Sequence, residues 1–423
     1  MKETKFKNTE IGKIPEEWRI CNFGDIFTFF SNNTLSRDML GERGDMHNVH
    51  YGDVLIKYGS TLDVEKESIP SIKEEYCYKS TNKIEDGDVI IADTAEDETV
   101  GKACEILNVG SRYIVSGLHT IWVRPKGNLF AAKYLGYAMN GTTYHNQLLP
   151  LIQGTKVSSI SKAAIKDTCI IVPPINEQHS IASALTSIDN LISSLGKLIE
   201  KKKNIKQGAM QQLLTGRTRL KGFSEPWVKR KLGDNATIQR GGSPRPIEAY
   251  LTTNRDGINW IKIGDVRPND KFIRHTVEKI IPEGISHSRQ VYKGDFILSN
   301  SMSFGRPYIL DIDGCIHDGW LVIKDYSNTY DMDFLYYILS SDTVFEQYIA
   351  IAAGSSVKNL NKEKVANVML FAPQSLAEQR AIATILNKMD NEITALETKK
   401  AKYEAIKQGM MQQLLTGKIR LIS

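Results

Sequence analysis

The stretch IKQGAMQQLLTGRTRL runs from Ile205 to Leu220, and IKQGMMQQLLTGKIRL runs from Ile406 to Leu421. Thirteen of the sixteen positions are identical, at an offset of 201 residues. The likeness extends upstream. PPINEQHSIASAL (173–185) answers APQSLAEQRAIATIL (372–386), with Glu177-Gln178 facing Glu378-Gln379. Further back the match weakens but keeps its order: EEWRICNFGDI (16–26) with EPWVKRKLGDN (225–235), HYGDV (50–54) with KIGDV (262–266), EDGDVII (85–91) with YKGDFIL (292–298), and IQGTKVSSI (152–160) with AAGSSVKNL (352–360). The chain is therefore one unit written twice, a globular domain followed by a long helix. The boundaries read as a first domain at 1–175, a first helix at 176–222, a second domain at 223–374 and a second helix at 375–423.

The helical parts follow a heptad. Ile181, Ile188, Leu195, Lys202 and Ala209 recur every seven residues, with Ala184, Leu191, Leu198 and Ile205 between them and Leu185, Ile192, Ile199 and Leu213 alongside. In the second copy Ile382, Met389, Leu396, Tyr403 and Met410 recur, with Ile385 and Ile406 between and Leu386, Ile393 and Leu414 alongside. Such a stripe predicts a coiled-coil seam. Thr215-Gly216 and Thr416-Gly417 supply the stop signals. From Glu177 to Leu214 a helix rises roughly 57 Å, at about 1.5 Å per residue. The first helix leads from domain one to domain two, and the second starts at domain two. If the seams bury each other, the helices must pair antiparallel, with the two domains at opposite ends related by an approximate two-fold axis.

The globular parts read as α/β. Apolar runs at 88–93, 119–125, 295–300 and 320–325 predict strands, and 129–148 and 332–350 predict helices. Cysteines Cys21, Cys77, Cys104, Cys169 and Cys315 are dispersed, which suits reduced thiols and no zinc site. No apolar run reaches about 18 residues and MKETKFKNTE has no signal-peptide core, so a cytoplasmic protein is expected. The net charge of +5 is uneven. Residues 177–222 hold 8 Lys+Arg against 3 Asp+Glu, and residues 375–423 hold 8 against 5, so the excess sits in the helices. Basicity alone is then a weak pointer to nucleic acid, since a solvated lysine face explains it equally well.

A search for chemistry returns little. There is no GxxxxGK[ST] loop, and Val172-Pro173-Pro174-Ile175 lacks the polar residue an amino-methyltransferase motif needs, so it reads as a strand-to-helix corner. The acidic residues Asp86, Asp88, Asp93, Glu96, Asp97 and Glu98 could hold a divalent metal, but the matching segment 299–304 carries no carboxylate. His47 and His50 lack a third ligand. The expectation is a chain without a catalytic centre or bound metal.

Polar loops are more informative. QRGGSPRP (239–246) sets Arg240, Ser243 and Arg245 around two glycines, and GTKVSSISK and GSSVKNLNK place Lys156, Ser158 and Ser159, and Ser355, Lys358 and Asn359, at one place in both halves. Hydroxyls, amides and cations of this kind position a DNA backbone or read base edges. Arg37, Arg43, Lys57, Lys102, Lys262, Arg289, Asn300 and Arg306 complete the candidate DNA-binding set.

Two diverged domains, two near-identical helices ending in QGMMQQLLTG, a GD[VF]I-type strand and a GSSVKNL-type loop per domain together resemble the specificity subunit of a type I restriction-modification system. The resemblance implies a non-catalytic subunit whose two domains each recognise half of a split, asymmetric double-stranded DNA target. It implies helices that space the domains and dock two modification subunits, which would carry S-adenosylmethionine and methylate adenine. Restriction subunits with ATP-dependent translocase and nuclease activity would join them. On the residues alone, a coiled-coil interaction scaffold without DNA binding remains the alternative, with an enzyme of unrecognised site behind it.

Overall fold

The computed structural model describes residues 4–80, 82–154, 156–267, 270–300, 304–352 and 360–422. The chain forms two compact units, one of residues 1–196 with 399–423 and the other of residues 197–398. Each unit thus combines one globular domain with part of both long helices.

In the first unit a five-stranded sheet has the order Phe27–Phe30, Thr120–Pro125, Val89–Ala92, Ala103–Leu107, Thr61–Asp63. The central strand VIIA is buried at all four positions. A strand covered on both faces has no reason to alternate, which is why it reads as an unbroken apolar run. Successive side chains still point to opposite faces: Val89 and Ile91 enter one core with Phe23, Phe27 and Leu148, while Ile90 and Ala92 enter another with Val54, Leu62 and Ile106. The second unit repeats the order with Thr237–Arg240, Trp320–Lys324, Phe296–Ser299, Pro307–Leu310 and Phe272–Ile273. Its central FILS is likewise buried throughout, with Phe296 and Leu298 on one side and Ile297 on the other. Most pairings are antiparallel, and the last strand of each sheet is parallel to its neighbour. The domains are mixed helix and sheet.

Each predicted domain helix is two shorter ones. Residues 129–148 contain helices Tyr134–Ala138 and Thr142–Leu148. The Asn140 amide between them turns back to donate to the Ala103 and Gly136 carbonyls, at 2.7 and 2.6 Å, and so offers the chain an alternative to the helix. The second unit has Met332–Leu339 and Asp342–Ala352, with Ser341 at the break.

The long helices span Ile175–Leu213 and Leu376–Leu414, 39 residues each. Val172-Pro173-Pro174-Ile175 is the corner between the strand Cys169–Val172 and the first helix. Contacts within each unit show antiparallel pairing. Lys407 meets Asp189 at 2.7 Å and Arg420 meets Glu177 at 2.6 Å in the first unit. In the second unit Lys202 meets Glu392 and Lys206 meets Asp390, at 2.6 and 2.5 Å.

The seam differs from the expected one by a residue. Ile181, Ile188, Leu195 and Ile382 are buried, and Met389, Leu396, Tyr403 and Met410 half-buried. Between them lie Leu185, Ile199, Leu213, Leu386, Ile393 and Leu414, which were expected only as flanks. Ile205 and Ile406, placed in the seam by the heptad reading, are 47% and 39% exposed. Leu191 and Leu198 share their side of the helix. An apolar stripe wider than two positions per heptad offers two registers one residue apart, and only packing against the partner helix selects between them.

The repeated helix end now has a physical meaning. Met210, Leu213 and Leu214 enter the core of the second unit, and Met411, Leu414 and Leu415 enter that of the first. Gly216 and Gly417 both adopt φ of 69°, in the left-handed region. A side chain on Gly417 would strike Pro15 at 2.4 Å, and one on Gly216 would press on Trp227 at 3.3 Å. Beyond each glycine an arginine completes a buried clamp. Arg420 donates two hydrogen bonds to Glu177, at 2.6 and 2.8 Å, and the Trp18 indole donates a third at 2.9 Å. Arg219 and Trp227 do the same to Glu378, at 2.7, 2.8 and 3.2 Å. The neighbouring Gln178 accepts from the Ala131 amide and donates to the Pro173 carbonyl, and Gln379 treats Asp331 and Pro373 alike. All four Glu and Gln side chains are buried, and each is satisfied, as burial requires. The motif is repeated because each helix end grips the same socket at the start of the other helix.

Candidate nucleic-acid interface

In both units loops gather at the far end of the central strand. In the second unit the gathering point is Asp318, in the turn between the strands Gly314–Ile316 and Trp320–Lys324. Ser243 donates to its carboxylate at 3.0 Å, and Arg245 lies 3.6 Å from the same group. Arg240 and the buried Asn300 side chain both donate to its backbone carbonyl, at 3.2 and 2.9 Å. Arg289 in turn donates to the Arg240 carbonyl at 3.2 Å. Gly241 and Gly242 bring the loop against the turn by donating to the Trp320 and Ile316 carbonyls. A Cβ on Gly241 would fall 2.0 Å from the His317 carbonyl oxygen, so this approach requires glycine. Burial lowers the His317 pKa from the ordinary histidine value, and its Nδ1 accepts the Gly319 amide at 2.6 Å.

The arrangement places three guanidinium groups at one sheet end, Arg240 and Arg289 each on one backbone carbonyl and Arg245 on an ion pair alone. Arg245 is 83% exposed, and an exposed ion pair at 3.6 Å is worth at most about 1 kcal/mol. It can leave Asp318 for a phosphate or a guanine edge at small cost.

The first unit builds the same place from different residues. Asp93 donates its amide to the His119 carbonyl and accepts Ile160 N–H, as Asn300 does with Gly319 and Leu360. His119 lies 3.3 Å from the Thr94 hydroxyl, and its ring meets Tyr51 edge-on at 5.3 Å. Ser158 and Ser159 form a short ladder with Ala95 and Thr94, so the loop bearing Lys156 runs beside the acidic segment 93–98. Lys156 itself is exposed. Lys162 reaches the Phe30 carbonyl, and Asn32 donates to the Gly117 carbonyl.

The sheet end thus unites Lys156, Ser158 and Ser159 in one unit and Arg240, Ser243, Arg245, Arg289 and Asn300 in the other. Arg306 sits at the base of the same loop cluster, its amide donating to the Ser299 hydroxyl. Most other candidates have contacts of their own, and Arg37 and Lys262 lie close enough to His50 and His317 to add to the lowering of pKa that burial causes there. Arg37 pairs with the buried Asp53 at 2.5 Å, Lys57 donates to the Ser68 carbonyl, and Lys262 pairs with Glu278 at 2.5 Å. Lys102 donates to the Leu55 carbonyl, and burial pulls its pKa down. Arg43 is exposed. Ser355, Lys358 and Asn359 lie outside the described residues. Asp318, His119 and Tyr51 were missed by the sequence reading. Nothing in their spacing marks them, though the glycines opposite Asp318 were a usable signal.

The acidic residues weighed for a metal do other work. Asp88 is buried and accepts from Trp122 and Arg124 at 2.7–2.9 Å. Asp86 accepts the Val109 amide, and Asp97 accepts the Thr99 amide and hydroxyl. Among the described residues no three His, Cys, Asp or Glu side chains gather as a metal site, and no helix is long and apolar enough to cross a membrane. All five cysteines are free.

The chain matches the type I restriction modification DNA specificity domain twice, over residues 15–206 and 224–408. It is 28% identical to the putative type I restriction enzyme MjaX specificity subunit of Methanocaldococcus jannaschii, covering 99% of this chain and 98% of that one. It is 25% identical to the MjaVIII specificity subunit of the same organism, covering 99% and 97%. Its fold is similar to that of the type I restriction-modification S subunit from M. genitalium, with a TM-score of 0.55 at 14% identity over 94% of this chain and 96% of that one. It is also similar to a chain from a structural study of complex assembly and conformational transition in a type I system, with a TM-score of 0.60 at 17% identity over 96% and 99%. The chain belongs to the family of type I restriction-modification specificity subunits, the non-catalytic members of systems whose catalysis lies in partner subunits.

Proposed function

We propose that each domain reads one half of a bipartite, asymmetric double-stranded DNA target with the loops at its sheet end. The long helices set the unread spacer and dock two modification subunits, which carry S-adenosylmethionine and methylate adenine. Restriction subunits with ATP-dependent translocase and nuclease activity complete the assembly. One observation carries the reading: among the described residues, the loops at the end of the central strand carry different side chains in the two domains, while the Trp, Glu, Gln and Arg that clamp each domain to the helices are the same. Chemistry that varies on a frame that does not is what independent half-site recognition requires. Leu191, Leu198 and Ile205 are apolar and exposed on the first helix, which suits a partner surface.

Replacing residues 1–170 with the first domain of another family member tests this, with methylated sites mapped in cells carrying the complete system. One half-site should change and the other stay. A change in both would end the modular reading. Filter binding on random duplex, with and without modification subunits, separates the reading from that of a scaffold, which would retain no DNA.

A further inference from the structure

We infer that Tyr137, Asp189 and Lys407 in one unit, and Tyr337, Asp390 and Lys206 in the other, are positioning residues that set the angle at which each recognition domain is carried on the helix pair. The inference rests on the bipartite reading above and adds to it the residues that make the spacing narrow.

The two triads match atom for atom. The Tyr137 hydroxyl donates to Asp189 Oδ2 at 2.8 Å, Lys407 Nζ lies 2.7 Å from Asp189 Oδ1, and the same ammonium sits 5.7 Å from the Tyr137 ring centre. In the second unit the corresponding distances are 2.6, 2.5 and 5.5 Å. In each case the three groups come from three elements: a short helix of the domain, the long helix leaving that domain, and the long helix arriving from the other half. A single carboxylate therefore ties all three together. Burial pushes both phenols well above the ordinary tyrosine range, so they remain donors.

Apolar packing already attaches each domain to its helices, through Tyr134, Ile181, Leu185 and Met411 in the first unit. Such packing is non-directional and tolerates rotation. A phenol and an ammonium meeting one carboxylate are directional and charge-assisted, so they fix the angle. The second joint is the stiffer. Lys271 there donates to Asp333 and Asn387 at 2.6 and 2.7 Å and lies 4.8 Å from the Tyr336 and Tyr337 ring centres, while the residue before the matching edge strand of the first unit is Ser60. The first joint is therefore the one to perturb.

The test uses the chain assembled with its modification subunits, on duplexes whose spacer varies by single base pairs around the best length. Tyr137→Phe and Lys407→Gln should each lower the preference for the best spacer over its neighbours by about tenfold, the lower end of the effect of losing one charge-assisted bond. Lys407→Arg should keep the narrow optimum, and the half-site sequences should stay the same in all three. A lower melting temperature with an unaltered spacer profile would reduce the triad to ordinary adhesion and overturn the inference, as would an equal loss at every spacer. A wild-type complex with no spacer optimum would overturn the bipartite reading itself, and the joint with it.

Discussion

At the scale of residues, Asp318 decides where the arginines of the second domain lie. Its carboxylate and carbonyl collect Arg240, Ser243, Arg245 and Asn300 from two separate segments. Arg245→Ala should relax one base position of one half-site and weaken its methylation by about 1–3 kcal/mol in transition from best to second-best base, measured on half-site libraries. If Arg245 meets only phosphate, all sequences should weaken together and the salt dependence should become shallower. A second residue-scale expectation concerns Glu105. Its buried carboxyl accepts the Lys133 and Gly136 amides at 2.6 and 2.9 Å, and desolvation outweighs these bonds to push its pKa up to about 7. The folded state therefore favours the proton more than the unfolded chain does. The contribution is fully present below the ordinary carboxylate pKa and is lost as pH rises through about 7. The first unit should lose of order 2–3 kcal/mol between pH 5 and 8 from this group. Glu105→Gln should flatten that slope in thermal melts across the range.

Among elements, the long helices show how little separates a buried row from an exposed one. Leu195 is buried and Leu198 is 38% exposed, three residues away on the same helix. Leu195→Ala should cost about 2–4 kcal/mol in urea unfolding of the chain, and Leu198→Ala within about 0.5 kcal/mol. Equal costs would place the seam where the heptad reading had it. The sockets at the helix starts are the stronger attachment. Glu378 is fully buried and receives three hydrogen bonds, so Glu378→Ala should destabilise the second unit by about 3–5 kcal/mol by leaving Arg219 with the Glu225 carbonyl alone and the Trp227 indole without its acceptor.

Taken as a whole molecule, the chain is expected to measure DNA with its helices. Lys202, Lys203 and Lys206 pair with Glu392, Glu397 and Asp390, so an insertion in one helix must be matched in the other. Four residues after Glu200, with four after Glu397 opposite, add about 6 Å and a net turn of about 40°. One base pair adds about 3.4 Å and roughly 35°. Such a variant should prefer a spacer longer by about one base pair, with both half-sites unchanged, in methylation mapping on a spacer library. An unaltered optimum would mean that the helices are not the ruler.

What the sequence alone determined is whatever repeats or alternates. The duplication, the long helices, the apolar central strands VIIA and FILS and the glycine stops are local patterns, and local patterns survive without knowledge of neighbours. The loops of 239–246 and 154–159 were visible for the same reason, through their glycines and cations. Tertiary structure decided the rest. Leu185 and Ile205 are equally apolar in a linear reading, and only the facing helix buries one and leaves the other in water. Lys102 looks as available as Arg245 until folding half-buries it against the Leu55 carbonyl. Asp318, Tyr137 and Asp189 are ordinary residues whose roles come from partners dozens or hundreds of positions away, and sequence spacing carries no record of such distances.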